Sequence, residues 1–219
     1  MFLKAGGEMK TITALRREKA GRGGKVRVYL DGKPAFWLEK EVAEKHHLRT
    51  GQELNDDEIE ALTRANSFQR CLTAALRYLE YRPHSEEEMR QKLARRGFES
   101  DYINSAISKL KEQGLIDDAA FARFWQENRQ SFRPRSQRMT RLELRRKGID
   151  STIINRVIGE IDDSESAYRV ASTRARLLKS VDYDTFRRRL GEYLRRRGFD
   201  YEVIGHTIGK IWTERDSQG

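Results

Sequence analysis

The chain has 219 residues, with 44 basic side chains against 34 acidic ones and a net charge of +10, which favours an acidic partner: nucleic acid, an anionic membrane surface or an acidic protein face. Hydrophobic residues make up 37% and charged residues 36%, against roughly half and a quarter in ordinary globular domains, so several thin helical cores suit it better than one thick core. The single cysteine, Cys71, excludes an internal disulfide framework, and no apolar run approaches the ~18 residues of a membrane span, so a cytoplasmic protein with no membrane partner is expected.

In chain order, residues 1–65 differ from the rest. Met1 to Glu8 carries no pattern, and Met9 is an alternative start. Thr11 to Leu15 can form a strand, followed by a flexible connector, Gly21-Arg22-Gly23-Gly24. Lys25-Val26-Arg27-Val28-Tyr29-Leu30 alternates with period two, Asp31-Gly32 offers a hairpin turn, and Ala35 to Leu38 supplies the return strand. Glu39 to His47 reads as a short helix. Asn55-Asp56-Asp57-Glu58 opens another, running through Arg64 with acids in its first turn. The glycines have neither the Lys-Ser/Thr pair nor the long following helix of a phosphate-binding loop.

The rest of the chain is organised by a recurring corner. Leu93-Ala94-Arg95-Arg96-Gly97-Phe98 returns as Leu144-Arg145-Arg146-Lys147-Gly148-Ile149 and as Leu194-Arg195-Arg196-Arg197-Gly198-Phe199, with the glycines 51 and 50 residues apart. Basic residues suit the negative end of a helix, and glycine can take the positive φ that ends it. A polar residue then caps the next helix: Ser100 or Asp101, Asp150 or Ser151, and Asp200. Positions five, six, nine, ten and thirteen after each glycine form one apolar helix face in all three copies, Thr207 being the exception. A fixed period of this size is one supersecondary unit used three times. The expected fold is mainly α: three tandem three-helix repeats at 66–116, 117–162 and 163–213 forming an elongated curved solenoid, a small β-rich segment at 1–65, and a polar tail at 214–219.

Within the repeats, Phe68, Leu72, Ala75, Leu76 and Leu79 form the first stripe, Arg82-Pro83-His84 breaks the chain, and Ser85 with Glu88 makes a capping box. The next helix runs from Ser100 or Asp101 to Gln113. The second repeat opens with Phe121, Phe124 and Trp125 and breaks at Arg133-Pro134-Arg135-Ser136. The helix that follows has Glu143 as its only acid. The third places Tyr168, Ala171, Ala175 and Leu178 on its first helix and a second helix over Asp182 to Arg197, before a polar tail from Thr213.

His46, His47, His84 and His206 have no second ligand at a metal-site spacing, and no nucleophile elbow is present, so neither a metal, a cofactor nor an enzyme activity is expected. Asp117-Asp118 sits where a helix begins and reads as a cap. Phe121 and Trp125, four apart, read as core packing. The basic second helices carry the functional signal, either as a solvated face or as one stripe across stacked repeats. The stripe comprises Arg95, Arg96, Arg133, Arg135, Arg138, Arg141, Arg145, Arg146, Lys147, Arg188, Arg195 and Arg196. It could follow a phosphate backbone or an acidic protein groove.

Three stretches carry a resemblance. Arg82-Pro83-His84-Ser85-Glu86-Glu87-Glu88-Met89, Gly114-Leu115-Ile116-Asp117-Asp118-Ala119-Ala120-Phe121 and Glu143-Leu144-Arg145-Arg146-Lys147-Gly148-Ile149 resemble the motifs of the RecX family, regulators of the RecA recombinase. The likeness spans about Asn66 to Trp212. Met89 stands where leucine is usual, and Arg133-Pro134 where many members have a Gly-Pro-like pair. The resemblance implies a monomeric, non-enzymatic negative regulator. It would bind the RecA filament on single-stranded DNA along its groove and inhibit ATPase, strand exchange and coprotease activity, by blocking filament growth or promoting disassembly. A direct nucleic-acid-binding repeat protein is the other reading.

Overall fold

The structure is a computed structural model that describes residues 8–18, 24–178 and 180–216. The connector glycines Gly21 and Gly23, and the start at Met1, lie outside the described residues. Among the described residues are four strands and ten helices. By packing they divide into two units: residues 1–82 with 89–113, and residues 83–88 with 114–219.

In the first unit, β1 (Lys10–Glu18), β2 (Lys25–Leu30), β3 (Lys33–Glu39) and β4 (Glu53–Leu54) form an antiparallel sheet in the order β3-β2-β1-β4. The Asp31-Gly32 turn takes positive φ at both residues (49° and 79°), as a two-residue hairpin requires. Asp31 also accepts the Thr11 N–H at 3.0 Å, which ties β1 to the turn. Alternation delivers Val26, Val28 and Leu30 to one face, where they pack with Ile12, Leu38, Leu54 and Leu62. The two-residue β4 was not predicted; it is too short to show alternation.

Helix α1 (Lys40–Lys45) follows the sheet, and α2 then runs unbroken from Asp56 to Leu79. This corrects the expectation of one helix running through Arg64 and a separate first helix of repeat 1 from residue 66 onward. The capping box predicted only for Ser85 is complete at Asn55 and Glu58, and no glycine or proline interrupts the helix after it. Asn66, in the middle of α2, accepts the Glu39 N–H at 2.7 Å and donates to the Trp37 carbonyl at 2.9 Å. The helix therefore holds edge strand β3 with its first half and begins repeat 1 with its second, which buries Cys71, Leu72 and Ala75.

The repeats follow: α3 (Glu86–Arg95) and α4 (Ser100–Glu112); α5 (Asp118–Phe132), α6 (Gln137–Arg146) and α7 (Ser151–Ile158); α8 (Asp163–Ala175), α9 (Tyr183–Arg196) and α10 (Tyr201–Asp216). The corner leucines Leu93, Leu144 and Leu194 are fully buried, and Gly97, Gly148 and Gly198 have φ of 82°, 76° and 91°. Of the five register positions, the first is half-buried in each copy and the other four are buried, Thr207 included. Caps fall two residues after each glycine. Asp150 and Asp200 accept backbone N–H groups there, whereas Glu99, the equivalent in repeat 1, makes no side-chain cap, so neither Ser100 nor Asp101 is the cap residue.

The polar tail expected from Thr213 is helical through Asp216. Glu214 accepts the Tyr168 hydroxyl at 2.7 Å, and the Arg215 guanidinium lies 4.7 Å from the Trp212 ring centre, so both polar residues have partners that hold the last turn.

Candidate basic interface

In the second unit, one joint is built twice. Ser85 accepts the Glu88 N–H at 3.1 Å, which starts α3, and donates its hydroxyl to the Lys147 carbonyl at 2.7 Å. Ser136 accepts the Met139 N–H at 3.2 Å, which starts α6, and its own N–H donates to the Arg197 carbonyl at 3.2 Å. Asp118 accepts the Glu86 N–H at 2.9 Å, and Asp163 accepts the Gln137 N–H at 2.8 Å. Each joint thus seats the start of a second helix on the glycine corner of the following repeat. The neighbouring Asp117 and Asp162 cap their own helices. Capping accounts for both aspartates at Asp117-Asp118, one for each of two helices. Burial pushes the Asp163 carboxyl up despite the Gln137 N–H, with Asp200 and Asp162 adding to the rise.

The close fit explains the glycines. A Cβ on Gly148 would overlap the Glu87 Cβ, and one on Gly198 would lie 2.7 Å from Ser136 Oγ. Gly97 meets nothing within 4 Å, so there only the positive φ calls for glycine.

Glu143 is the hub of repeat 2. It accepts Trp125 Nε1 at 2.8 Å and Arg129 Nε at 2.7 Å, and pairs with Arg135. Lys147 pairs with Glu88 and lies 3.9 Å from the Trp125 ring centre. Phe121 is fully buried and stacks on Trp125 at 5.9 Å, in keeping with the packing role read from their spacing. The sequence marked Glu143 as the only acid of its helix but did not show that three groups converge on it.

The predicted stripe is therefore of two kinds. Arg135 and Lys147 are engaged in part-buried pairs, and Arg141 in an exposed hydrogen bond to Asn155. Arg96 lies over the Tyr78 ring. Arg95, Arg133, Arg138, Arg145, Arg146, Arg188, Arg195 and Arg196 are exposed, and their side chains have no hydrogen bond, ion pair or ring contact with a described residue. At the joint of repeats 2 and 3, guanidiniums also gather around Arg197, a residue outside the predicted stripe. Burial, with Arg135, Arg196 and Arg133 nearby, lowers its pKa against the pull of Tyr193. Its guanidinium stacks 3.9 Å from the Tyr193 ring centre.

Among the described residues, no group of three or more His, Cys, Asp or Glu could hold a metal, and no helix is long and apolar enough to cross a membrane.

The first, second and third three-helix domains of RecX match residues 71–110, 117–158 and 160–208. A regulatory protein RecX from Chlorobium limicola is 33% identical over 138 residues, covering 63% of this chain and 87% of that one. The chain belongs to the RecX family. A regulatory protein RecX from Clostridium beijerinckii is 27% identical over 208 residues, 93% of this chain and 96% of that one, so the likeness extends into the β-rich segment. Two crystal structures are similar as well. One, of regulatory protein RecX, has a TM-score of 0.66 at 25% identity over 89% of this chain and 96% of that chain. The other, of RecX from Lactobacillus salivarius, has a TM-score of 0.58 at 25% identity over 67% of this chain and 97% of that chain. The RecX relatives share the name of a regulatory protein, and the three RecX domains carry both the doubled joint and the unpaired arginines.

Proposed function

We propose that this chain is a monomeric, cytoplasmic, non-enzymatic negative regulator of RecA. It binds the RecA filament on single-stranded DNA along its groove. By blocking filament growth or promoting disassembly, it inhibits ATPase, strand exchange and coprotease activity. Membership of the RecX family supports RecA as the partner. The observation that carries the mechanism is the division among the basic residues. Those that stabilise the fold are paired, while Arg95, Arg138, Arg145, Arg146, Arg188, Arg195 and Arg196 stand exposed without partners. Such charges offer contacts to phosphate or carboxylate at no cost to internal pairs.

Arg145→Glu with Arg146→Glu tests it. Both residues lie in the last turn of α6, exposed, so helicity should be retained. Inhibition of RecA's DNA-dependent ATPase is measured at substoichiometric protein, beside affinity for bare single-stranded DNA. Strong inhibition by the wild-type chain with weak bare-DNA binding, and loss of inhibition in the variant, supports the proposal. Inhibition relieved simply by added DNA points to the direct nucleic-acid binder instead. Unchanged inhibition in the variant assigns these two arginines to a solvated face.

A further inference from the structure

Repeats 1 and 2 share a bridge that repeat 3 lacks. Seven residues before each corner glycine stand Arg90 and Arg141; seven residues after stand Asn104 and Asn155. In each of these repeats the arginine donates to the asparagine side-chain oxygen, tying the second helix to the third. In repeat 3 both positions are glycine, Gly191 and Gly205. Both lie inside helices, α9 and α10, where glycine is unfavourable. Packing does not demand either one. A Cβ on Gly191 would meet Ile208 at 3.6 Å and Ile204 at 3.8 Å, ordinary contact distances, and one on Gly205 would meet nothing within 4 Å.

Where the bridge is missing there is an open groove of about 620 Å³, with Gly191, Gly205, Ile204 and Ile208 among the residues that line it. Tyr201 stands on its rim, 84% exposed, one turn from Gly205 on the same helix face. Serines, Ser100 and Ser151, occupy its place in the other repeats. Tyr183 stands on the rim as well. It belongs to the extra length of α9, which has 14 residues against 10 in α3 and in α6. Its ring is held edge-on to Trp212 at 5.1 Å and remains 42% exposed. Arg187, Arg188 and Arg195 also line the groove, exposed and without side-chain partners among the described residues.

We infer that this groove receives a base of single-stranded DNA. An apolar lining from Ile204 and Ile208 with two exposed rings beside it suits a base face, and the three free guanidiniums suit the flanking phosphates. Asp184 and Glu192, also on the lining, offer acceptors for a base amino group. A purely phosphate-binding surface would use the arginines and leave the exposed Tyr201 ring and both glycines without a role. The inference rests on the proposed binding to the RecA filament, which carries single-stranded DNA, and adds to it a base-receiving site in repeat 3.

The test restores the bridge by Gly191→Arg with Gly205→Asn, and separately removes the ring by Tyr201→Ala. Fluorescence anisotropy reports binding of an oligodeoxycytidylate about 16 nucleotides long and of an abasic oligomer of the same length. The expected result is roughly tenfold weaker binding of the oligodeoxycytidylate by either variant, no change with the abasic oligomer, and an unchanged or raised melting temperature for the bridged variant. Equal affinity of the wild-type chain for both oligomers, or unchanged oligodeoxycytidylate affinity in both variants, overturns the base site and leaves the DNA contact standing. No measurable binding of either oligomer by the wild-type chain overturns the base site and leaves the RecA-filament reading standing, which inhibition of the RecA ATPase tests separately.

Discussion

Gly148 lies so close to Glu87 that a methyl group on it would overlap the Glu87 Cβ and sit 2.8 Å from its Cγ. The same corner in repeat 1, Gly97, has the same positive φ and no neighbour within 4 Å. Gly97→Ala should therefore cost only the backbone strain, about 1–2 kcal/mol. Gly148→Ala should add the overlap with Glu87 and reach about 3 kcal/mol or more. Urea denaturation of the two variants compares them directly; equal losses would mean that the joint yields.

Glu143 holds Trp125, Arg129 and Arg135 together, with its own side chain 11% exposed and the two arginines 23% and 36% exposed. Glu143→Ala leaves two guanidiniums and an indole N–H without their acceptor. With the arginines partly in water, the cost should be about 2 kcal/mol, seen as a lower midpoint of chemical denaturation. The tryptophan emission should shift as the Trp125 N–H loses its carboxylate. A midpoint within error of wild type would show the network to be loosely held.

Burial pushes the Cys71 thiol up to about 11 from an ordinary value near 9. The thiolate is the reactive form, so iodoacetamide should leave Cys71 unlabelled at neutral pH until the chain is unfolded in denaturant. The sign for stability follows from the raised value. The thiol's contribution is fully present below the unfolded pKa and is lost as pH rises toward about 11. Rapid labelling of the folded protein at pH 7 would contradict the buried placement.

Asp150 shows the opposite direction. The Thr152 hydroxyl and then the Thr152 N–H hold its carboxyl below the usual carboxylate range. The cap is therefore present above that range and is lost as pH falls through the lowered value. Thr152→Val removes the largest cause and should raise the Asp150 midpoint in an NMR titration, with the Thr152 amide still donating. An unmoved midpoint would show that the hydroxyl bond is absent in solution.

The repeats were legible because the face that packs each third helix is local. Ile103, Ile154 and Ile204 recur at one offset from their glycines, and a period of four or three residues is visible without any distant partner. Capping was legible for the same reason at Ser85, Asp117 and Asp150. The boundary expected between residues 65 and 66 is absent because composition changes there while the backbone does not; Asn66 uses its side chain to hold β3 and leaves the helix intact. The helical end at Asp216 was missed because polar residues read as solvent-facing until Tyr168 and Trp212 are brought beside them.

Of the arginines, sequence could count the charges but not sort them. Arg141 and Arg145 look alike along the chain, yet one is spent on Asn155 and the other stands free. The missing Arg–Asn bridge of repeat 3 was present in the letters at Gly191 and Gly205. It acquires meaning once Arg90 and Arg141 are seen to reach Asn104 and Asn155 across a corner. Local patterns of burial, charge and φ follow from nearest neighbours, so the chain order of residues carries them. Which charge is neutralised, and which corner glycine is pressed by another repeat, depend on groups far apart in sequence and close in space.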